Sequence, residues 1–297
     1  MMKYITFTCA ALLTLLLANP TAAQVPFAAE DAFYQGVYHA LKKNFTRAKD
    51  MFEESLAKDP TYYRPKEGFK VIAALMEKKI DLETAELIFK GQSLEKERTM
   101  KEAIAAFDEA IAKNPGLPLA YFVRGNAYDT GGQYELAVED FTLAIELDPE
   151  NEDAYNSRGL SYYKSGLYGR AIYDFSAAIN LNPAYAAAYY NRGLTYYKYG
   201  QHDRAIENLS MAIEVNPDDI VAYKARGIAF LAIGQLNRAI ADFNEVVETE
   251  PTFAEGYFIR GLIYASQDQY VLAIEDFDSA IAADPNCAEA YYNRGNA

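Results

Sequence analysis

Apolar and small residues recur at intervals of three and four along most of this chain, which predicts a succession of amphipathic helices. One pair of such segments carries Tyr121, Gly125 and Tyr128, then Ala137, Phe141, Ala144 and Ile145. Gly131 and Gly132 separate the two segments, and a glycine pair favours a turn. Pro149 follows the second segment and predicts its end, because proline disfavours helical geometry in the residue before it. The pattern therefore predicts a helical hairpin.

The hairpin pattern repeats every 34 residues. The dipeptide Arg-Gly occurs at 124–125, 158–159, 192–193, 226–227, 260–261 and 294–295. Further columns with the same step are Pro115, Pro149, Pro183, Pro217, Pro251 and Pro285; Tyr121, Tyr155, Tyr189, Tyr223, Tyr257 and Tyr291; and Phe141, Phe175, Leu209, Phe243 and Phe277. A fixed period of about 20 to 50 residues is typical of proteins built from stacked repeat units.

These columns resemble the signature of the tetratricopeptide repeat (TPR) family, whose repeat has about the same length. The resemblance rests on Tyr, Gly and Tyr in the first helix and on Ala, Phe, Ala and Pro in the second. It implies an all-α fold, a right-handed α-solenoid of stacked antiparallel helix hairpins. The implied repeats are a degenerate first one in 24–62, followed by 84–117, 118–151, 152–185, 186–219, 220–253 and 254–287.

Residues 63–83 depart from the regular spacing. An amphipathic segment there, with apolar Val71, Ile72, Leu75 and Met76, predicts a single unpaired helix inserted between the first two repeats. A degenerate half-repeat that begins near Thr61 describes the same residues equally well. Both interpretations predict irregular stacking at this point.

The last residues, 288–297, begin a further repeat, since the hexapeptide AYYNRG at 188–193 returns at 290–295. Tyr291 and Tyr292 give this segment no polar outer face, which the terminal unit of a repeat array needs. We therefore expect the chain to be a fragment of a longer array, with a half-repeat cap as the alternative.

The first 23 residues have the layout of a secretory signal peptide. Lys3 gives a positive start, residues 5–17 form an apolar run, and small residues precede an expected cleavage site after Ala23. The run is shorter than the stretch of about 20 residues that a membrane span needs, although an uncleaved anchor is the alternative. The sequence thus predicts an exported protein, periplasmic or secreted, with no integral membrane segment after cleavage.

Charge and cysteine content narrow the expected partners. The formal net charge is −14, and removal of residues 1–23 leaves 27 basic and 42 acidic residues, a net charge of −15. Such an acidic chain disfavours nucleic acid and anionic membranes as partners. Because cleavage also removes Cys9, Cys287 is left without an internal disulfide partner. Other proteins or peptides remain as partners, and homo-oligomerisation is left open.

The arginine column permits two interpretations, a ladder that binds anionic ligands or a set of structural bridges. In antiparallel hairpins the arginine of the first helix lies opposite an acidic column of the second. Arginine and acid occur and disappear nearly together along the repeats, which favours charge-assisted pairing within each hairpin. The predicted structural pairs are Arg124–Asp140, Arg158–Asp174, Arg226–Asp242 and Arg260–Asp276.

In the TPR family the first helices line the face that binds ligands, so the resemblance implies where a ligand would lie. The implied groove columns are Phe122, Asn156, Tyr190, Lys224 and Phe258, and Asn126, Leu160, Leu194, Ile228 and Leu262, with Tyr163, Lys164, Tyr197 and Lys198 near the helix ends. Aromatic side chains and a few cations favour an extended peptide or helix of acidic character. Packing between repeats is the alternative for several of these residues.

No group of residues predicts catalysis, a metal site or a cofactor. His39 and His202 are far apart in the repeat pattern, whereas a metal site needs converging ligands. We therefore expect a non-enzymatic interaction scaffold or adaptor of the cell envelope that binds a peptide or helix in the groove. The alternatives are a self-assembling structural protein of the envelope, and an envelope enzyme or glycan-binding protein that uses the groove.

Overall fold

The computed structural model describes residues 27–59, 64–96 and 99–297, and these ranges contain sixteen α-helices and no strand. The predicted signal peptide lies outside them. The helices are α1 (Phe27–Leu41), α2 (Phe45–Lys58), α3 (Arg64–Met76), α4 (Leu82–Lys96), α5 (Met100–Lys113), α6 (Pro118–Thr130), α7 (Tyr134–Leu147), α8 (Glu152–Lys164), α9 (Tyr168–Leu181), α10 (Ala186–Lys198), α11 (His202–Val215), α12 (Ile220–Ala232), α13 (Leu236–Thr249), α14 (Ala254–Ser266), α15 (Tyr270–Ala283) and α16 (Ala288–Asn296).

The hairpin of α6 and α7 shows how the sequence specifies the regular unit. Pro118 stands in the first turn of α6, where its missing N–H is not needed. Gly132, at a φ of 73°, takes the left-handed conformation that turns the chain between the helices. Gly125 lets the two helices approach closely, since a Cβ atom there would lie 2.8 Å from a ring carbon of Phe141. The buried Phe141 ring thus packs directly against the backbone of α6.

The chain forms two compact units. The N-terminal unit, Ala22–Pro183, contains the hairpins α1–α2, α4–α5, α6–α7 and α8–α9 together with α3. The C-terminal unit includes Ala184–Ala297 and contains the hairpins α10–α11, α12–α13 and α14–α15, followed by α16. The second helix of every hairpin contributes one large, fully buried side chain to the core of its unit, such as Phe175 or Phe243. The prediction of an all-α chain of stacked hairpins is confirmed.

Helix α3 is the irregular element of the N-terminal unit. It covers residues 64–76 of the segment 63–83, and residues 77–83 form a turn and the start of α4. In a regular hairpin the glycine of the first helix packs on the bulky residue sixteen positions later, as Gly36 does on Phe52. Gly68 of α3 instead packs against Phe52, which lies earlier in the chain, on α2. Helix α3 therefore adds a layer to the first hairpin rather than starting one of its own.

None of the described helices combines the length and the apolar character that a membrane span requires.

Candidate functional site

The arginine column forms two-point bridges within each hairpin. In α6, Arg124 donates from Nε to Asp140 Oδ2 over 2.8 Å and from Nη2 to Oδ1 over 2.6 Å. The same two bonds join Arg158 to Asp174, Arg226 to Asp242 and Arg260 to Asp276, with lengths from 2.7 to 3.0 Å. All four aspartates are buried. Each bridge fastens the first helix to the second by the paired geometry that suits guanidinium and carboxylate best.

The remaining nitrogen of each guanidinium, Nη1, donates to the preceding hairpin. Nη1 of Arg158 donates to Thr142 Oγ1 over 3.0 Å, and Nη1 of Arg260 donates to Asn244 Oδ1 over 2.8 Å. One face of each guanidinium also lies over a tyrosine of its own helix, such as Tyr155 below Arg158 at 5.7 Å. All three nitrogens of these guanidinium groups thus already bond to the protein, which favours a structural role for the column over ligand binding.

Burial shapes the electrostatics of these bridges. It raises the pKa of Asp140 and of Asp242 above the ordinary value of 3.8, against the opposing effect of the paired arginines. In the hairpin α10–α11 the acceptor is neutral, because Arg192 donates from Nε to the amide oxygen of Asn208 over 2.6 Å. Burial lowers the pKa of Arg192 there. The chain therefore contains a charged and a neutral version of one bridge.

The predicted groove residues of the N-terminal unit are largely buried. Phe122 is 2% exposed and packs on Phe141, with ring centres 5.7 Å apart. Asn126 and Asn156 are both buried. Tyr163 is buried beside Tyr168, and this burial raises the pKa of Tyr163 to about 12.

The one predicted cation in this part of the groove, Lys164, forms an ion pair with Asp129 of the preceding first helix. Phe122, Asn126, Asn156 and Tyr163 are thus buried, and their part in binding a ligand stays a prediction. Phe122 packs on Phe141 of α7, Tyr163 packs on Tyr168 of α9, and Asn126 bonds to Glu67 of α3.

Helix α3 supplies residues that the repeat pattern did not point to. Glu67 accepts a hydrogen bond from Asn126 Nδ2 and one from Gln92 Nε2, each over 2.9 Å. Gln92 stands 34 residues before Asn126, in the same groove column. The position of Gln92 in that repeat column could therefore have identified it from the sequence. Glu67 carried no such signal, since an acidic residue in an amphipathic segment is normally assigned to the solvated face.

The C-terminal unit retains a partly accessible set of predicted groove residues. Tyr190, Tyr197 and Lys198 are half-buried, and Lys198 makes no ion pair within the described residues. Lys224 is already held by Glu255 over 3.0 Å and lies above the Phe253 ring.

Phe258 is buried against Phe277, with ring centres 6.0 Å apart. In α10 two tyrosines and one cation thus remain as the accessible part of the predicted surface.

This chain is a helical repeat protein, built of successive hairpins whose helices are joined by arginine bridges. Family models described as tetratricopeptide repeat match residues 186–219 and 224–286, and one described as TPR repeat matches residues 125–166 and 162–200. The chain belongs to the tetratricopeptide repeat family. No curated protein matches it by sequence at a significant level.

Solved structures of other TPR proteins are similar to it. YrrB, described as a TPR protein with an unusual peptide-binding site, is 27% identical at a TM-score of 0.55 over 64% of this chain and 98% of its own. MamA is 29% identical at a TM-score of 0.52 over 56% of this chain and 96% of its own. PilW, described as a widely conserved type IV pilus biogenesis factor, is 20% identical at a TM-score of 0.62 over 72% of this chain and 99% of its own. At that identity PilW shows the fold alone.

Proposed function

We propose that this protein is a non-enzymatic adaptor that binds another protein through the first helices of its repeats. Membership of the TPR family is the observation that carries the proposal, since the proteins of this family generally act as interaction scaffolds. The similarity to YrrB, which has a peptide-binding site, favours a peptide or helix as the bound element.

The binding surface that we propose lies on α10 of the C-terminal unit and consists of Tyr190, Tyr197 and Lys198. Tyrosine supplies large contact area at low entropic cost and is enriched where proteins bind each other. Lys198 is half-buried beside them and makes no ion pair within the described residues. A peptide with acidic character therefore fits this surface better than a basic one.

The setting that we propose is the cell envelope. It rests on the signal-like sequence of residues 1–23. An exported adaptor would meet its partners in the periplasm or outside the cell, after cleavage near Ala23.

Affinity capture tests the proposal most directly. The chain from residue 24 onwards serves as bait in an extract of the native envelope, beside two variants that carry the same change of charge. Lys198→Glu alters the proposed surface, whereas Arg204→Glu alters an exposed arginine on the second helix α11. We expect Lys198→Glu to lose the captured protein and Arg204→Glu to retain it.

Other results decide against the proposal. Capture of no protein above background would contradict the adaptor function, and equal capture by both variants would place the surface elsewhere. Sizing of the purified protein by sedimentation detects the self-assembling alternative as large homo-oligomers. Turnover of peptides or glycans by the purified chain would instead establish the enzymatic alternative.

A further inference from the structure

Helix α3 lies across the first helices of three successive hairpins in the N-terminal unit. Its Glu67 accepts hydrogen bonds of 2.9 Å from Gln92 of α4 and from Asn126 of α6. One turn further along, Lys70 Nζ lies 3.6 Å from Asp153 Oδ2 of α8. Gln92 and Asn126 belong to a column of side chains that the family resemblance assigns to ligand binding. A segment of the chain itself therefore lies where an external ligand was expected.

One face of α3 matches this surface in charge as well as in position. Arg64 donates from Nη1 to Glu95 Oε2 of α4 over 2.6 Å, and the two side chains are only 14% and 6% exposed. Arg64, Glu67 and Lys70 follow each other at steps of three residues, so they share one side of the helix. From its N-terminal to its C-terminal end this side presents a cation, a carboxyl group and a second cation. Each of them meets a partner on a first helix.

The apolar contacts of α3 lie on one side of the helix. Val71 and Ile72 are buried, Leu75 is partly buried against the same core, and Phe69 packs edge-on against Phe52 with ring centres 5.6 Å apart. Met76 at the end of the helix is 70% exposed. A single helix outside the hairpins, held in part by polar bridges, is the kind of element that detaches before the rest of a domain unfolds.

We propose that α3 is a built-in ligand of the N-terminal unit and that its departure opens a binding site for an external amphipathic helix. The external helix would carry the pattern of Arg64, Glu67 and Lys70, which is a carboxyl or amide group between two cations at steps of three residues. This proposal concerns α4, α6 and α8 and does not depend on the surface proposed above for α10. Either proposal can therefore fail alone.

The buried carboxyl group of Glu67 makes the docking of α3 sensitive to pH. Burial raises its pKa from an ordinary 4.5 to about 8. Arg64 and Lys70 on its own helix and the amide of Gln92 act in the opposite direction, whereas Glu95 of α4 adds to the increase.

The other groups around it are neutral or already paired. Asn126 of α6 presents an amide, and the Tyr34 hydroxyl of α1 lies 3.4 Å from Arg64. Gln92 Oε1 is buried without a hydrogen-bond partner in the described part of the chain. A rotation of that amide would let this oxygen accept the proton of a neutral Glu67.

Proton linkage gives the size of the effect. The pKa of Glu67 is about 8 when α3 is docked and an ordinary 4.5 when α3 is released. At every pH between these values the docked form therefore binds more protons than the released form. The docking constant of α3 therefore falls by roughly 100-fold between pH 6 and pH 9. Replacing Glu67 by glutamine retains a group of the same shape that cannot ionise, so the docking constant of this variant stays constant with pH.

Amide hydrogen exchange on the whole chain measures this docking directly. The quantity is the ratio of protection factors of the α3 amides to those of the α6 amides, which corrects for the intrinsic pH dependence of exchange. We expect the ratio to fall by roughly 100-fold from pH 6 to pH 9 in the wild-type chain and to stay level in Glu67→Gln. A level ratio in the wild-type chain, or an equal fall in both chains, would overturn the proposal.

A synthetic peptide tests the binding site that α3 leaves open. The probe has the sequence of residues 62–80 with Gln in place of Glu67, so its own docking does not titrate. Its affinity for the wild-type chain should rise by up to roughly 100-fold from pH 6 to pH 9 as the resident helix is released, and its affinity for the Glu67→Gln chain should not change. The control peptide carries Arg64→Glu and Lys70→Glu and should not bind. If exchange shows that α3 is released and the probe still fails to bind, the proposed site for an external helix is refuted.

Discussion

Replacing Arg226 by alanine tests whether the arginine column serves the fold. Arg226 donates to both oxygens of Asp242 over 3.0 and 2.7 Å, and the Asp242 side chain is 4% exposed. Without the guanidinium, Asp242 is a buried carboxylate with no charged partner, and breaking a buried pair in this way costs about 3 to 5 kcal/mol. Because the Arg226 side chain is 19% exposed, water can enter the space it leaves. We therefore expect a loss near the lower limit, about 3 kcal/mol.

The chain contains its own control at Arg192. Its Nε donates to the neutral amide of Asn208 over 2.6 Å, and that amide retains a 2.8 Å bond to the carbonyl of Arg204 when Arg192 is truncated. Losing a hydrogen bond to a neutral buried group costs about 1 to 3 kcal/mol. We therefore expect Arg192→Ala to destabilise the C-terminal unit by about half as much as Arg226→Ala.

Urea denaturation followed by circular dichroism measures both losses. Hydrogen exchange in α10–α11 and α12–α13 should accompany it, because repeat arrays do not always unfold in one step. Equal losses in the two variants would show that the charge of Asp242 is not the cause. If Arg226→Ala changed stability by less than about 0.5 kcal/mol and abolished partner binding, the column would be a binding ladder and our reasoning would be wrong.

The remaining predictions concern single positions in the N-terminal unit. Gly159→Ala should cost about 1 to 3 kcal/mol in urea denaturation, because the new Cβ would lie 2.7 Å from a ring carbon of Phe175; Gly169→Ala, which meets nothing within 4 Å, should be neutral or stabilising. Gly166→Ala should cost about 1 kcal/mol by the same measurement, since its φ of 74° strains any residue with a Cβ. The pKa of Glu67 is raised to about 8, so the folded chain holds this proton more tightly than the unfolded chain. The melting temperature of Glu67→Gln minus that of the wild-type chain should therefore rise from pH 5 to pH 8.5, and a constant difference would contradict the burial of an ionisable group there.

The regular hairpins could be predicted from the sequence because their determinants are local and repeated. Gly132 and Pro149 mark a turn and a helix end through backbone geometry alone, and both recur with the period. The columns of Gly125 and Phe141 likewise specify the close approach of paired helices. Six successive copies of one pattern leave little ambiguity about a fold in which each unit packs on its neighbours.

The accessible surface could not be predicted in the same way. Phe122, Asn126 and Phe258 stand in columns that the resemblance assigns to a groove, yet all three are buried. A column of the sequence repeat indicates which side of a helix a residue occupies. The column does not indicate whether another helix covers that side, because the burial of a residue depends on everything that packs against it.

The sequence by itself thus determined the hairpin unit, its period and the arginine and aspartate columns, because all of these arise from contacts within a hairpin or between consecutive ones. Only the tertiary structure decided what lies on the first helices of the N-terminal unit. The irregular segment of residues 63–83 predicts a helix, but it does not predict what that helix packs against. The contacts of Glu67 with Gln92 and with Asn126 join residues that are 25 and 59 positions apart. Contacts that occur once have no periodic signal, and they become visible only when the chain is folded.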